Sequence, residues 1–475
     1  MNQPESTRTM MLSPHRRFLR GIVVCAMALA GACAPAASSA RPAPAEAATR
    51  LEPREWTPQS PAAEIAAWAS QGCRRAAEGK AVCIERALVS LLGQAGVSKS
   101  MEVLDTLAVM DDEVRGDAHP LAHGLGISAY RGPATLAATF ASCPVSQMSG
   151  CYHGVVQGYF LDLSGQGRSI GTAELDGLCE PHRGQQFIFF QCGHGMGHGL
   201  MAVHGNHLPS ALQACDLASN QFIRESCYGG AFMENVVNFT HPHHTAGGHA
   251  QTQGGGHAPA DVHAAHGGAD ASADAHAAHG GADAHAGHGG GQVMAHGEWK
   301  PLDRDDPLYP CNVVDAKYGD SCYAMQTSAV MFFNGGDVAA TARTCDGAPE
   351  AFRTRCFMSL GRDVNSYSGQ DHARSIEMCG RASAAAEAQG VLWCMRGLVE
   401  TFLNQSADPR DGIRFCGAVP GDDVKQDCYR VVGDFTHSLG QGPEERARHC
   451  AAADPRFLAA CRRGAGLDPQ ASGSE

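Results

Sequence analysis

Three short segments of the chain couple histidine to glycine: Ala122-His123-Gly124-Leu125-Gly126, Cys151-Tyr152-His153-Gly154 and Cys192-Gly193-His194-Gly195-Met196-Gly197-His198-Gly199. The chemistry these residues serve is metal coordination, because neutral imidazole is the commonest protein ligand for Zn, Cu and Ni. His194 and His198 are four residues apart, so on a helix they project side by side and can share one ion. His119 and His123 repeat that spacing, with Pro120 marking the start of a helix. Glu234, further along, could complete a His/His/Glu set with room for water, and Met196 and Met201 offer soft thioethers to Cu(I). The pattern is H-x-x-x-H without the glutamate of H-E-x-x-H, so the general base of a zincin hydrolase is missing. For any one of these histidines the plainer alternative is a buried side chain bonded to carbonyls between packed helices. Gly193, Gly195, Gly197 and Gly199 add a constraint: each costs about 1 kcal/mol against Ala within a helix. Such a run implies close approach of a neighbouring helix or a ligand to the backbone.

A second histidine population lies just downstream. His241, His243, His244, His249, His257, His263, His266, His276, His279, His285, His288 and His296 are set among Gly, Ala and Asp. The tract has no aromatic residue and almost no aliphatic one, so it cannot build a core and is expected to be disordered. A flexible histidine tract can wrap several ions in interchangeable geometries, giving capacity without a fixed site. Compositional drift towards Ala, Gly, Asp and His codons is the alternative source.

The elements that must position these groups are announced by cysteine. Of twenty cysteines, Cys25 and Cys33 lie near the N-terminus and the other eighteen form nine close couples. They are Cys73/Cys83, Cys143/Cys151, Cys179/Cys192, Cys215/Cys227, Cys311/Cys322, Cys345/Cys356, Cys379/Cys394, Cys416/Cys428 and Cys450/Cys461. Members of a couple are 8 to 15 residues apart, and couples recur every 33 to 41 residues except at two longer gaps. No C-x-x-C is present, so nine disulfides in an oxidising compartment are the economical reading. A period near 35 residues is the size of a helix-turn-helix repeat. Each unit shows helix A ending near its first Cys, a break such as Asp346-Gly347-Ala348-Pro349, and helix B carrying the second Cys within its first two turns. Closing each short loop stabilises by on the order of 3 kcal/mol in the chain-entropy model. A further unit without cysteine fits between Ser98 and Arg131, which makes ten units, five on each side of the histidine tract. Counted from the second cysteine, His153 and His194 hold one position, and His123 holds it if Leu121 stands in for a cysteine. In a solenoid such positions form a row. The C-terminal units break that row with Ala324, Met358, Arg396 and Arg430.

In period and cysteine placement the chain resembles tetratricopeptide-type helical repeats in a cysteine-stapled form, over roughly residues 62 to 465. The resemblance implies an all-α solenoid and no particular activity. The expected organisation is a signal segment over 1–40, a linker over 41–61, repeats over 62–239, the histidine-rich insertion over 240–300, repeats over 301–466 and a tail over 467–475. Arg16, Arg17 and Arg20 precede an apolar stretch from about Gly21 to Ala37, the order of a secretory signal. Cleavage after Ala40 and lipidation of Cys33 within Ala30-Gly31-Ala32-Cys33 are the two options for its processing. Either places the protein in the periplasm or cell envelope of a bacterium, with a membrane engaged only through an N-terminal lipid.

A net charge of −13 with only five lysines argues against nucleic acid, and no phosphate-binding loop, G-x-S-x-G or C-x-x-C-H motif is present. Two readings of function remain. In one, the protein buffers or sequesters a transition metal (Zn, Cu or Ni), with the tract as collector and the histidine row as the specific site. In the other, the solenoid face docks a protein or peptide and the tract is incidental. A hydrolase using His194 and His198 as metal ligands ranks behind both. His182, His204 and His207 are looser candidates, and His372, His437 and His449 read as ordinary surface residues.

Overall fold

The computed structural model describes residues 56–240, 299–384 and 388–468. Among these residues the chain is all-α, with nineteen α-helices, short 3-10 turns and no strand. The nine cysteine couples are nine disulfides, with Cα–Cα distances of 5.4 to 5.8 Å. The signal segment, the linker, the histidine tract and the tail fall outside the described residues, save for a few at their edges.

Most units are a hairpin of a short helix A and a longer helix B. Helix α1 (Ala62–Cys73) opens the first unit. Helix α2 (Lys80–Met110) contains two elements, because Gly96 leaves the helical region with φ 79° and ψ 178°. That left-handed kink ends helix B of unit 1 and starts helix A of the cysteine-free unit 2. Lys80–Met110 is the one described helix long and apolar enough to cross a membrane, but Gly96 interrupts it and Leu88, Leu91, Leu104 and Leu107 are buried in the core. Helix α3 (Asp112–Ala129) completes unit 2; it starts at the Asp111 cap, whose carboxylate also pairs with Lys80, and not at Pro120, which lies inside it. Units 3 to 5 are α4 (Leu136–Ala141) with α5 (Gly150–Gly165), α6 (Thr172–Cys179) with α7 (Gln186–Val203), and α8 (Leu208–Cys215) with α9 (Gln221–Thr240).

Unit 6 departs from the expected hairpin. Its first half, 299–315, runs as turns, because Pro301, Pro307 and Pro310 preclude a helix there. Its second half is α10 (Gly319–Tyr323) and α11 (Gln326–Asn334). Regular hairpins then resume: α12 (Val338–Asp346) with α13 (Glu350–Tyr367), α14 (His372–Gly380) with α15 (Ala388–Ser406), α16 (Pro409–Ala418) with α17 (Asp422–Ser438), and α18 (Pro443–Cys450) with α19 (Leu458–Gly464). Asp337, Asp371 and Asp408 cap helices A of units 7 to 9 by accepting backbone N–H bonds. The stack continues across the insertion. Asp216 of unit 5 accepts from Tyr228 Oη (2.5 Å), Tyr318 Oη (2.7 Å) and Lys317 Nζ (2.8 Å), the last two from unit 6.

The long helices B pack on one another in sequence, and glycines set how closely. A Cβ on Gly126 of α3 would fall on the carbonyl oxygen of Cys151 in α5, and one on Gly154 of α5 would fall on the carbonyl of His123. The same reciprocal contact joins Gly197 of α7 to Gly230 of α9, Gly361 of α13 to Gly397 of α15, and Gly433 of α17 to Gly464 of α19. Within α7 the alternate glycines face the other way, Gly195 towards His153 and Val156 and Gly199 towards Phe160 of α5. The α7 glycine run is therefore accounted for by a helix with neighbours in backbone contact on both sides.

The stack also curls back on itself. Phe187 of α7 meets Phe435 of α17 with ring centroids 5.9 Å apart, and α15 packs on the turn at Gln147–Ser149. Between the halves lies a cavity of about 530 Å³, lined by His119, Met148, Met233, Met325, Phe332 and Tyr367 among others.

Because Gly197 is pressed against the backbone of α9, Gly197→Ala is expected to destabilise by about 1–3 kcal/mol through overpacking. Gly177, with open space around its Cα, is expected to gain up to about 1 kcal/mol on substitution by Ala. Urea unfolding of the two variants checks the opposite signs.

Candidate metal centre

Five histidines from three helices B converge in the N-terminal half: His119 and His123 on α3, His153 on α5, and His194 and His198 on α7. Ring centroids are 4.6 Å apart for His119–His123 and His123–His198, 4.8 Å for His153–His194, and 5.1 Å for both His123–His153 and His194–His198. His153 also lies 5.3 Å from His198 and 5.6 Å from His119, so it touches the other four rings. Ordinary helix packing keeps neighbouring axes about 8–10 Å apart, so α3 and α7, on either side of α5, would ordinarily lie farther apart than that. The glycine contacts of α3, α5 and α7 close that distance.

The rings are held from behind. His198 donates Nδ1–H to Glu234 Oε2 at 2.6 Å, an arrangement in which a carboxylate orients a ligand histidine and leaves Nε2 facing inwards. Glu234, on α9, thus stands behind His198 and not among the grouped ligand atoms. His119 Nδ1 lies 2.8 Å from the carbonyl oxygen of Gln147. That carbonyl is presented by a left-handed turn in which Gln147, Met148 and Ser149 have φ of 52°, 49° and 61°. Three successive non-glycine residues in this region need external support. Asp105 supplies it, accepting from Gln147 Nε2 (2.8 Å) and Ser146 Oγ (2.9 Å). Burial pushes the Asp105 carboxyl above its ordinary pKa, and these two hydrogen bonds oppose the shift.

His123, His153, His194 and His198 are buried. Burial, and the neighbouring imidazoles after it, hold His123, His153 and His194 well below the ordinary histidine range. They are therefore neutral at pH 7, the form that binds metal. Nδ1 of His194 and Nε2 of His198 are buried without a hydrogen-bond partner. Such orphaned polar atoms cost stability unless something satisfies them, and a cation would. Among the described residues, ligand atoms within 4.8 Å of one another form two groups: His119, His123 and His153, and His153, His194 and His198. Three nitrogens with an open position suit Zn or Cu.

The cavity between the halves reaches the cluster at His119. Arg362 also lines it. This guanidinium is engaged by Asp363, Ser328, Ser359 and the carbonyl of Ala324, and Asp363 also accepts from Thr327 at 2.7 Å. Thr240, the last described residue before the tract, lines the same cavity.

Other expected residues are placed elsewhere. Met196 and Met201 are buried core residues. His182 stacks on Phe140, and His207 Nδ1 pairs with Ser210 Oγ at 2.8 Å. His372 is not an ordinary surface residue: it packs half-buried against Phe402 and Phe415, and burial lowers its pKa. His241 through His296 lie outside the described residues. In the C-terminal half the row passes through Ala324 and Met358 and ends in ions. Arg396 binds Asp427 through two bonds of 2.8 and 2.6 Å, Arg430 bridges Asp427 and Asp434, and burial raises the nearby Glu400 to about 7. Gln191, which holds His153 Nε2 through its Oε1 at 2.8 Å, and the left-handed turn carried no signal in the sequence.

No protein-family model, no curated protein and no solved structure matches this chain.

Two outcomes follow from this geometry. Glu234→Ala is expected to weaken metal binding at the cluster by about 10–100-fold while leaving helix content unchanged, measured by competition with a chelator. The metal-free protein is expected to be fully stabilised by these neutral histidines above pH 6.5. It should lose that stability as pH falls below 6.5 towards their depressed pKa values, because the unfolded chain then binds more protons. Thermal unfolding of wild type and His123→Gln between pH 7.5 and 5 measures this, the variant showing the shallower dependence.

Proposed function

We propose that the chain is an exported transition-metal-binding protein that buffers or sequesters Zn, Cu or Ni. The five-histidine core is its specific site and the histidine tract its collector. The observation that carries the reading is the convergence of five imidazoles from α3, α5 and α7, with buried nitrogens left unpartnered on His194 and His198. The tract departs from Thr240 on the cavity that reaches His119, so ions gathered outside would have a short route to the core. On this reading the cysteine-stapled hairpins are a tetratricopeptide-like scaffold for the site. We assign it to the periplasm or the cell envelope, where nine disulfides persist. Lipidation of Cys33 would tether it there.

The test is metal content of the purified, tag-free mature protein, compared with His194→Ala/His198→Ala and with a deletion of residues 241–297. At least one tightly held ion per chain is expected to survive the deletion and to be lost in the double variant. Complete loss of tight binding on deleting the tract would make the histidine core a packing device and would favour the docking-scaffold reading.

A further inference from the structure

The two groups of ligand atoms meet at one residue, His153, and an imidazole has two nitrogens. In this ring they face opposite ways. Nδ1 lies 3.2 Å from His123 Nε2, on the side of the His119 and His123 pair. Nε2 lies 2.8 Å from Gln191 Oε1, on the side of α7, one helical turn before His194. Gln191 Oε1 can only accept, so Nε2 of His153 carries the proton and Nδ1 accepts from His123. A single ion placed in either group would leave the second group of imidazoles without a role.

We propose that the centre is dinuclear, with His153 as an imidazolate bridge between two ions. One ion is held by His119, His123 and Nδ1 of His153, and the other by Nε2 of His153, His194 and His198. The inference rests on the metal-binding reading above and deepens it. The first ion takes the lone pair of Nδ1, and it takes Nε2 of His123 once the proton that Nε2 gave to His153 has moved to His123 Nδ1. The second takes Nε2 in place of its proton, and Gln191 gives up its hydrogen bond. One proton leaves to solvent for each bridged pair formed, and no electron moves. The bridge also eases the electrostatics. Two divalent ions in a buried site repel each other strongly, and the imidazolate between them, with the Glu234 carboxylate behind His198, places negative charge where it is needed. The half-open cavity at His119 gives water and the released proton a way out.

Cu(II) is a suitable probe because two coppers joined by an imidazolate couple magnetically. The full-length mature chain is loaded with Cu(II), and a weak chelator then strips the tract. The retained copper is counted and its paramagnetic resonance recorded. Two retained coppers per chain are expected, with spin intensity below the copper content and a half-field transition. His153→Gln is expected to retain at most one copper, with spin equal to its copper. One retained copper with full spin in the wild type would overturn the bridge and leave a mononuclear site standing. Two coppers with full, uncoupled spin, or coupling that persists in His153→Gln, would also overturn the bridge. No retained copper would overturn the metal-centre reading itself.

Discussion

Backbone contact between successive long helices is the constraint on which the rest depends. Side chains normally hold helices apart, and a row of equivalent positions in a helical stack is then a row of separate residues. Here Gly126 and Gly154 let α3 and α5 approach until carbonyl oxygens occupy the space of a Cβ, and Gly195 and Gly199 bring α7 against the His153 Cα and the Val156 and Phe160 side chains of α5. The histidines at equivalent positions become one cluster. Glycine costs helix stability, and a hairpin with so short a helix A buries little by itself. In units 3 and 4 the intra-unit disulfide offsets both, tying helix B to its own helix A.

The same architecture serves different chemistry in its two halves. Gly361 with Gly397 and Gly433 with Gly464 repeat the close approach in the C-terminal units, yet the row there holds Ala324, Met358 and then two arginines paired with Asp427 and Asp434. Close packing is thus a property of the scaffold, and the cluster is a property of what is mounted on it. Neutral imidazoles can be crowded because each sheds its proton; guanidinium groups cannot, and they recruit carboxylates instead. Arg362 lines the same cavity as His119, and after burial and the neighbouring imidazoles its charge adds to the causes that hold His194 neutral.

Much of this was legible in the sequence. Cysteine spacing carried the hairpin count, including the unit in which Leu121 replaces a cysteine, because a short disulfide loop leaves a fixed mark on the chain. Counting from those cysteines aligned His123, His153 and His194, and the run from Gly193 to Gly199 signalled close approach. The distance between rows was not legible, since it depends on glycines of different units facing each other. Nor was the part played by Glu234, which turns on which ring nitrogen it meets. The turn at Gln147–Ser149 is silent for another reason: none of its residues is a glycine or asparagine, and it is held by Asp105 about forty residues away. The prolines that remove helix A from unit 6 were visible but stood within the expected repeat pattern.

The central claim is that glycine-mediated packing assembles a ligand shell made of imidazole. X-ray absorption at the metal edge, on full-length protein washed with a weak chelator until only tightly held ions remain, tests it most directly. The account predicts a first shell dominated by at least three imidazole nitrogens at about 2.0 Å, with no sulfur. A shell built mainly from oxygen, or containing two imidazoles or fewer, would contradict it.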